Sequence, residues 1–196
     1  LGEGPQGEFD RDPLVDFRAV DCTTFVEQVM ALSLQADLNE TLAVLRKIRY
    51  RDGKVSYDTR NHFPETDWLP NNIAAGYIKD ISRDIAGEKT GVVHKKISKR
   101  DWYAQKTLKD LEGFGGAAPE DPAARLSKLR ELGRDFEEQV STVAYVPLDI
   151  LPSVLGRIPS GTVMSIVRAD LPDKPLVVTH QGLIVARNGR RYVRHA

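Results

Sequence analysis

The Asn188-Gly189 pair constrains this chain more than any other local feature, because it fixes how the two segments flanking it must meet. Val177 to Ala186 alternates and leans apolar on one side, and Arg190-Arg191-Tyr192-Val193-Arg194-His195 follows on the other. Asn-Gly favours a two-residue type I′ turn, so a β-hairpin is predicted with Arg187 opposite Arg190, Ile184 opposite Val193 and Gly182 opposite His195. His180 and His195, two of only four histidines, then share one sheet face as diagonal neighbours. Gly182 has no side chain to keep the two rings apart.

The single cysteine, Cys22, lies in Val20-Asp21-Cys22-Thr23-Thr24-Phe25-Val26-Glu27. Asp21 is a good N-cap, and Phe25, Val29 and Leu32 recur at helical spacing, which puts Cys22 in the first turn of a helix. The partial positive charge and free N–H groups there favour the thiolate, the reactive form. A buried structural cysteine is the alternative, since free cysteine is among the most buried residue types. A thiol at a helix start, a strand histidine to take its proton and a second polar group to orient that histidine make a hydrolytic Cys-His-polar arrangement.

Periodicity predicts helices over residues 21–35 and 39–48, the latter with Leu42, Leu45 and Ile48 on one stripe. Residues 54–71 read as a polar loop bearing aromatics. A third helix is expected from Asn72 to Gly87, with a stripe of Ile73, Tyr77, Ile78, Ile81 and Ile85. Residues 92–99 read as a strand or extended link, 101–111 as a short helix, 113–122 as a loop or hinge, and 123–138 as a charged surface helix. From Val140 onward the chain turns mainly to strand. Helices first and strands last predict an α+β fold, a helical lobe over residues 1–139 beside a small antiparallel β lobe over 140–196, the two forming one catalytic unit with a cleft between them.

The order Asp21-Cys22-Thr23, then Ile158-Pro159-Ser160-Gly161-Thr162-Val163-Met164, then His180-Gln181-Gly182-Leu183-Ile184 and finally His195-Ala196 resembles the NlpC-type cysteine peptidases of bacterial cell walls. The nearest resemblance is to the branch described as N-acetylmuramoyl-L-alanine amidase-like. It shares Asp-Cys-Thr-Thr-Phe-Val-Glu, a stretch like Arg49-Tyr50-Arg51-Asp52-Gly53, and an insertion, about residues 49–72, like Thr59-Arg60-Asn61-His62-Phe63 with Asp67-Trp68-Leu69. That resemblance implies a papain-like α+β fold or partial barrel, Cys22 as nucleophile, His180 as base and His195 as its orienting partner. It implies a peptidoglycan or muropeptide substrate, cut at the lactyl-L-alanine amide or within the stem peptide, and a periplasmic, envelope or secreted location. Relatives often carry Gly-x-Pro-Tyr before the nucleophile, where this chain has Gln6 after Pro5, and their histidines stand closer together than His180 and His195.

Around this centre, Asp21, Arg60, His62, Asp67 and Trp68 are the candidate substrate-binding residues. A guanidinium suits a carboxylate and an indole offers a flat apolar surface. The alternative is that the four insertion residues among them pin an otherwise mobile loop to the helical lobe. His94, beside Lys95 and Lys96, reads as surface.

With 41% hydrophobic and 29% charged residues, and Lys+Arg 28 balancing Asp+Glu 28, nothing suggests a nucleic-acid footprint. No run approaches the ~18 apolar residues that would span a bilayer. The chain reads as trimmed at both ends, with any signal peptide expected outside it. The histidines and the one cysteine show no metal-ligand spacing, so neither metal nor cofactor is expected. Other classes remain open: a thiol acyltransferase on the same residues, a glycosidase, which needs two facing carboxylates, and a catalytically inactive wall-binding module.

Overall fold

Helix α1 (Cys22–Leu34) begins in a capping box: the Asp21 carboxylate accepts the Thr24 N–H at 2.8 Å, and the Asp21 N–H donates back to the Thr24 hydroxyl at 3.0 Å. The computed structural model describes residues 1–117 and 119–196; Ala118, in the loop expected over 113–122, lies outside the described residues. The buried face of α1 is Thr24, Val26, Glu27, Gln28, Met30 and Ala31. This rotates the helix from the expected Phe25, Val29 and Leu32 stripe, and Leu32 is exposed. The rotation is tolerated because Glu27 meets a buried cationic partner. Helix α2 (Leu38–Arg49) starts at Asp37, which accepts from the Asn39 and Glu40 N–H groups, and buries Leu45 and Ile48 against α1.

The third expected helix is instead two short ones, α3 (Leu69–Ala74) and α4 (Ser82–Ala86). Gly76, at φ +77°, closes α3 in a left-handed conformation, with the Gly76 N–H on the Ile73 carbonyl and the Tyr77 N–H on the Asn72 carbonyl. Asn72 does not cap. Its side-chain amide donates to the Ile48 and Trp68 carbonyls from within the core.

Strand β1 (Gly91–Ile97) is followed by α5 (Lys99–Ala104) and α6 (Pro122–Glu131), the latter ending well short of residue 138. Strand β2 (Gln139–Tyr145) then pairs antiparallel with β1, from Gly91 opposite Tyr145 to Ile97 opposite Gln139. The strands are therefore not confined to the C-terminal lobe, since β2 turns back to the middle of the chain. After α7 (Leu151–Val154), β3 (Val163–Val167), β4 (Val178–Arg187) and β5 (Arg190–Arg194) form a separate three-stranded antiparallel sheet with β4 at its centre. The fold is thus mixed α/β with two small antiparallel sheets. One core joins Val26, Met30 and Ala31 of α1, Leu45 and Ile48 of α2, Trp68 and Leu183 of β4. A second gathers Phe9, Tyr57, Tyr103 and Leu129. Among the described residues no helix is long and apolar enough to cross a membrane.

Candidate active site

The C-terminal hairpin has the register its turn dictates: Arg187 faces Arg190, Ile184 faces Val193 and Leu183 faces Arg194, with positive φ at both Asn188 and Gly189. His195 follows directly, and a Cβ built at Gly182 would stand 3.2 Å from the His195 Cβ. The His180 and His195 rings meet edge to face, centroids 4.8 Å apart and planes at 84°. The His180 Nε2 is buried and has no hydrogen-bond partner among the described residues, while the His195 Nδ1 lies 3.1 Å from the Ala196 carbonyl.

Cys22 is the first residue of α1 and half-buried. Asp21 takes up the Thr24 N–H with its side chain and the Phe25 N–H with its carbonyl. The N–H groups of Cys22 and Thr23 are left at the open end of the helix without a bond among the described residues. The helix end is fastened to the sheet by one hydrogen bond, in which the Thr23 hydroxyl donates to the Gln181 side-chain oxygen at 2.9 Å. Gln181, 1% exposed, also reaches Ser165 of β3 at 3.4 Å. Cys22 and His180 are the chain neighbours of this bonded pair, so helix start and histidine strand come together at one junction. The thiol contacts the Thr23 hydroxyl at 3.9 Å rather than an imidazole nitrogen. Catalytic hydrogen bonds in free enzymes commonly tighten only when substrate binds.

Of the five candidate substrate-binding residues, Asp21 adjoins Cys22 and spends its carboxylate on the cap. The other four are engaged by partners within the protein, most of them outside the insertion. Arg60 pairs with Asp10 at 3.0 Å, and Asp67 pairs with Lys99 while accepting the Phe63 N–H. Trp68 has no exposed surface and donates its indole N–H to Glu27 at 3.0 Å, so it offers a ligand no flat face. The flat apolar surface expected of Trp68 is instead part of the core. Arg60, His62, Asp67 and Lys99 line one polar cavity of about 20 Å³, room for about one water.

His62 donates from Nε2 to the Tyr57 carbonyl at 2.8 Å, the tautomer being assigned from that bond, and its ring packs on Tyr57 and Trp102. Burial, with the Arg60 guanidinium adding to it, holds the imidazole well below the usual histidine value, hence neutral. The unfolded chain binds a proton near pH 6.5 that the fold refuses, so stability falls as pH drops through and below that value, by at most about 1.4 kcal/mol per unit. Urea midpoints at pH 7 and 5.5 should show this loss in the wild type and a smaller one in His62→Gln. Equal losses would reject the assignment.

Asp10, Asp12 and Glu112 bring carboxylates within 4.8 Å of one another. Asp10 already serves the Asp12 N–H and Arg60. Burial first, then Asp10 and Asp12, raises the Glu112 carboxyl above its ordinary value.

Sequence reasoning missed Glu27, Glu65 and Gln181. Glu27 signalled itself only as a carboxylate three residues after Thr24 on the buried face; Glu65 and Gln181 gave no local sign, because their partners lie more than a hundred residues away.

A family model described as AmiA-like, N-acetylmuramoyl-L-alanine amidase-like, matches residues 1–196. A solved structure of a Legionella pneumophila protein superposes with TM-score 0.91 at 31% identity, covering 100% of this chain and 70% of that one. An N-acetylmuramoyl-L-alanine amidase from Bacteroides uniformis gives TM-score 0.66 at 25% identity, covering 93% of this chain and 73% of its own. A Bacteroides fragilis protein provisionally labelled a xylanase gives TM-score 0.63 at 26% identity, covering 94% and 76%. No curated protein sequence matches.

Proposed function

Because the chain belongs to the AmiA-like, N-acetylmuramoyl-L-alanine amidase-like family, we propose that it hydrolyses the amide between the muramic lactyl group and L-alanine in bacterial peptidoglycan, using Cys22 as nucleophile. The observation that carries this reading is the hydrogen bond joining Thr23 at the start of α1 to Gln181 of β4, the residues next in the chain to Cys22 and to His180, whose ring meets that of His195 edge to face. The same reading counts the chain as an NlpC-type, papain-like enzyme acting in the envelope or outside the cell.

In the proposed cycle His180 takes the thiol proton and the thiolate adds to the lactyl carbonyl. The C–N bond breaks as the imidazolium protonates the departing amine of L-alanine. Water, deprotonated by His180, then splits the thioester to a carboxylate and restores the thiol. His195 holds the His180 ring edge to face. The free N–H groups of Cys22 and Thr23 face the developing oxyanion, each such donor being worth about 3 kcal/mol in comparable sites.

A glycosidase reading has less support. It asks for two carboxylates facing each other across a substrate, whereas buried Glu27, Glu65 and Asp67 are each taken up by internal donors.

Mass spectrometry of muropeptides after incubation tests the reaction. Free disaccharide with an intact peptide is expected; a cut inside the stem would make the enzyme an endopeptidase, transfer to an added amine would make it an acyltransferase, and binding without turnover would leave a wall-binding module. The histidine pair is tested separately. A Cβ at Gly182 would lie 3.0 Å from the Arg194 carbonyl and 3.2 Å from the His195 Cβ, so Gly182→Ala should push the strands apart there. Turnover is expected to fall about tenfold, as misplacement of a catalytic group does, with an unchanged circular dichroism spectrum. A wild-type rate would mean the two rings need not meet.

A further inference from the structure

One turn of the insertion grips both elements of the proposed site. Pro64–Trp68 winds as a wide π-type turn, and Trp68 at its end bonds Glu27 on the helix that Cys22 opens. Glu65, in the same turn and 5% exposed, reaches the other element: its Oε1 accepts the Val177 N–H at 2.6 Å and the Val178 N–H at 2.7 Å. Its Oε2 is buried without a partner among the described residues.

Successive N–H groups of a regular strand point to opposite edges. Two consecutive donors converging on one oxygen therefore mark backbone held out of strand geometry. Immediately beyond it Val178 pairs with Val167, Thr179 is passed over in a bulge, and His180 faces Ile166. A slip of one residue would turn every side chain of a strand onto its other face. Apolar burial does not decide the matter here, since Val177 and Val178 are both buried, at 0% and 5% exposure. The carboxylate does not choose between registers, since every residue from Leu176 to Thr179 offers the same N–H, but it pins the bent backbone where β4 begins, ahead of the pairing with β5 that starts at Leu183.

We propose that Glu65 is the positioning residue for His180, its carboxylate anchoring the bent entry to β4 from which the strand presents the imidazole at the Cys22 junction. This rests on the reading of His180 as the base that serves Cys22.

The experiment measures the rate of Cys22 alkylation by iodoacetamide against pH, together with kcat and KM on a purified disaccharide–tetrapeptide. It compares wild type, Glu65→Leu, Glu65→Gln and His180→Ala. Glu65→Leu should shift the alkylation profile in the same direction as His180→Ala and lower kcat about 100-fold while KM stays within about threefold, the pattern of a misplaced catalytic group. Glu65→Gln keeps an acceptor oxygen without its charge and should fall between. If His180→Ala shifts the profile while folded Glu65→Leu matches the wild type, the positioning role is overturned and the His180 reading stands. If His180→Ala itself changes neither profile nor kcat, the reading falls and the proposal with it. Should Glu65→Leu not fold, Glu65→Gln decides: a wild-type kcat and profile overturn the proposal, and a lowered kcat with a shifted profile supports it.

Discussion

Cys22→Ala is expected to lower muropeptide hydrolysis by about 10⁴-fold or more, because the residual site keeps its oxyanion donors but has nothing to form the acyl-enzyme with. The fold should survive. Cys22 is half-buried, and the capping box that starts α1 is made by Asp21 and Thr24. Cys22→Ser should be nearly as impaired, since a hydroxyl is a far weaker nucleophile than a thiolate at neutral pH. His180→Ala should cost about 10³-fold or more, and adding it to Cys22→Ala should cost little further, because residues acting as one unit are not additive. Initial rates from chromatographic product analysis check all three. A Cys22→Ala enzyme within tenfold of the wild type would remove the thiol from the mechanism.

The largest expected loss of stability comes from Glu27 and Arg49. They form a buried ion pair at 2.6 Å with side chains 3% and 1% exposed, and neither is alone in it. Glu27 also accepts the Trp68 indole N–H, while Arg49 donates to the Leu14 carbonyl at 2.5 Å and leaves its Nη2 without a partner among the described residues. Removing one charge strands the other in a low-dielectric core. Glu27→Ala or Arg49→Ala should therefore each lose about 3–5 kcal/mol in urea unfolding. The double variant Glu27→Leu with Arg49→Met should recover most of this, short of about 1–3 kcal/mol for the indole N–H and the Leu14 carbonyl left unpaired. Single-variant losses below about 1 kcal/mol would show that water reaches the pair.

The parts legible in the sequence are those that short-range chemistry decides. The hairpin register follows from Asn188-Gly189 alone, and the start of α1 from Asp21 and Thr24. The break after α3 was missed because an apolar stripe through Ile73, Tyr77 and Ile81 looks helical, while Gly76 adopts a left-handed turn and Asn72 is drawn into the core by carbonyls of α2 and the insertion. The β1–β2 pair was missed as a unit because its ladder joins segments separated by two helices. Arg60, Asp67 and Trp68 looked available to a substrate because nothing local to them names Asp10, Lys99 or Glu27 as partners. Polar residues on a loop announce that they bond, but not to what.

The hairpin also sets a parity rule for how this architecture can vary. His180 and His195 meet because each lies at a fixed count of residues from the same two-residue turn. Lengthening both strands by one residue moves the turn outward and leaves the two rings together. Adding a single residue to one strand alone turns one histidine to the opposite face, unless a bulge absorbs it. Spacing between these histidines is thus free to grow by twos, and a natural variant with an odd change in that count should carry either a bulge or a different third group beside His180.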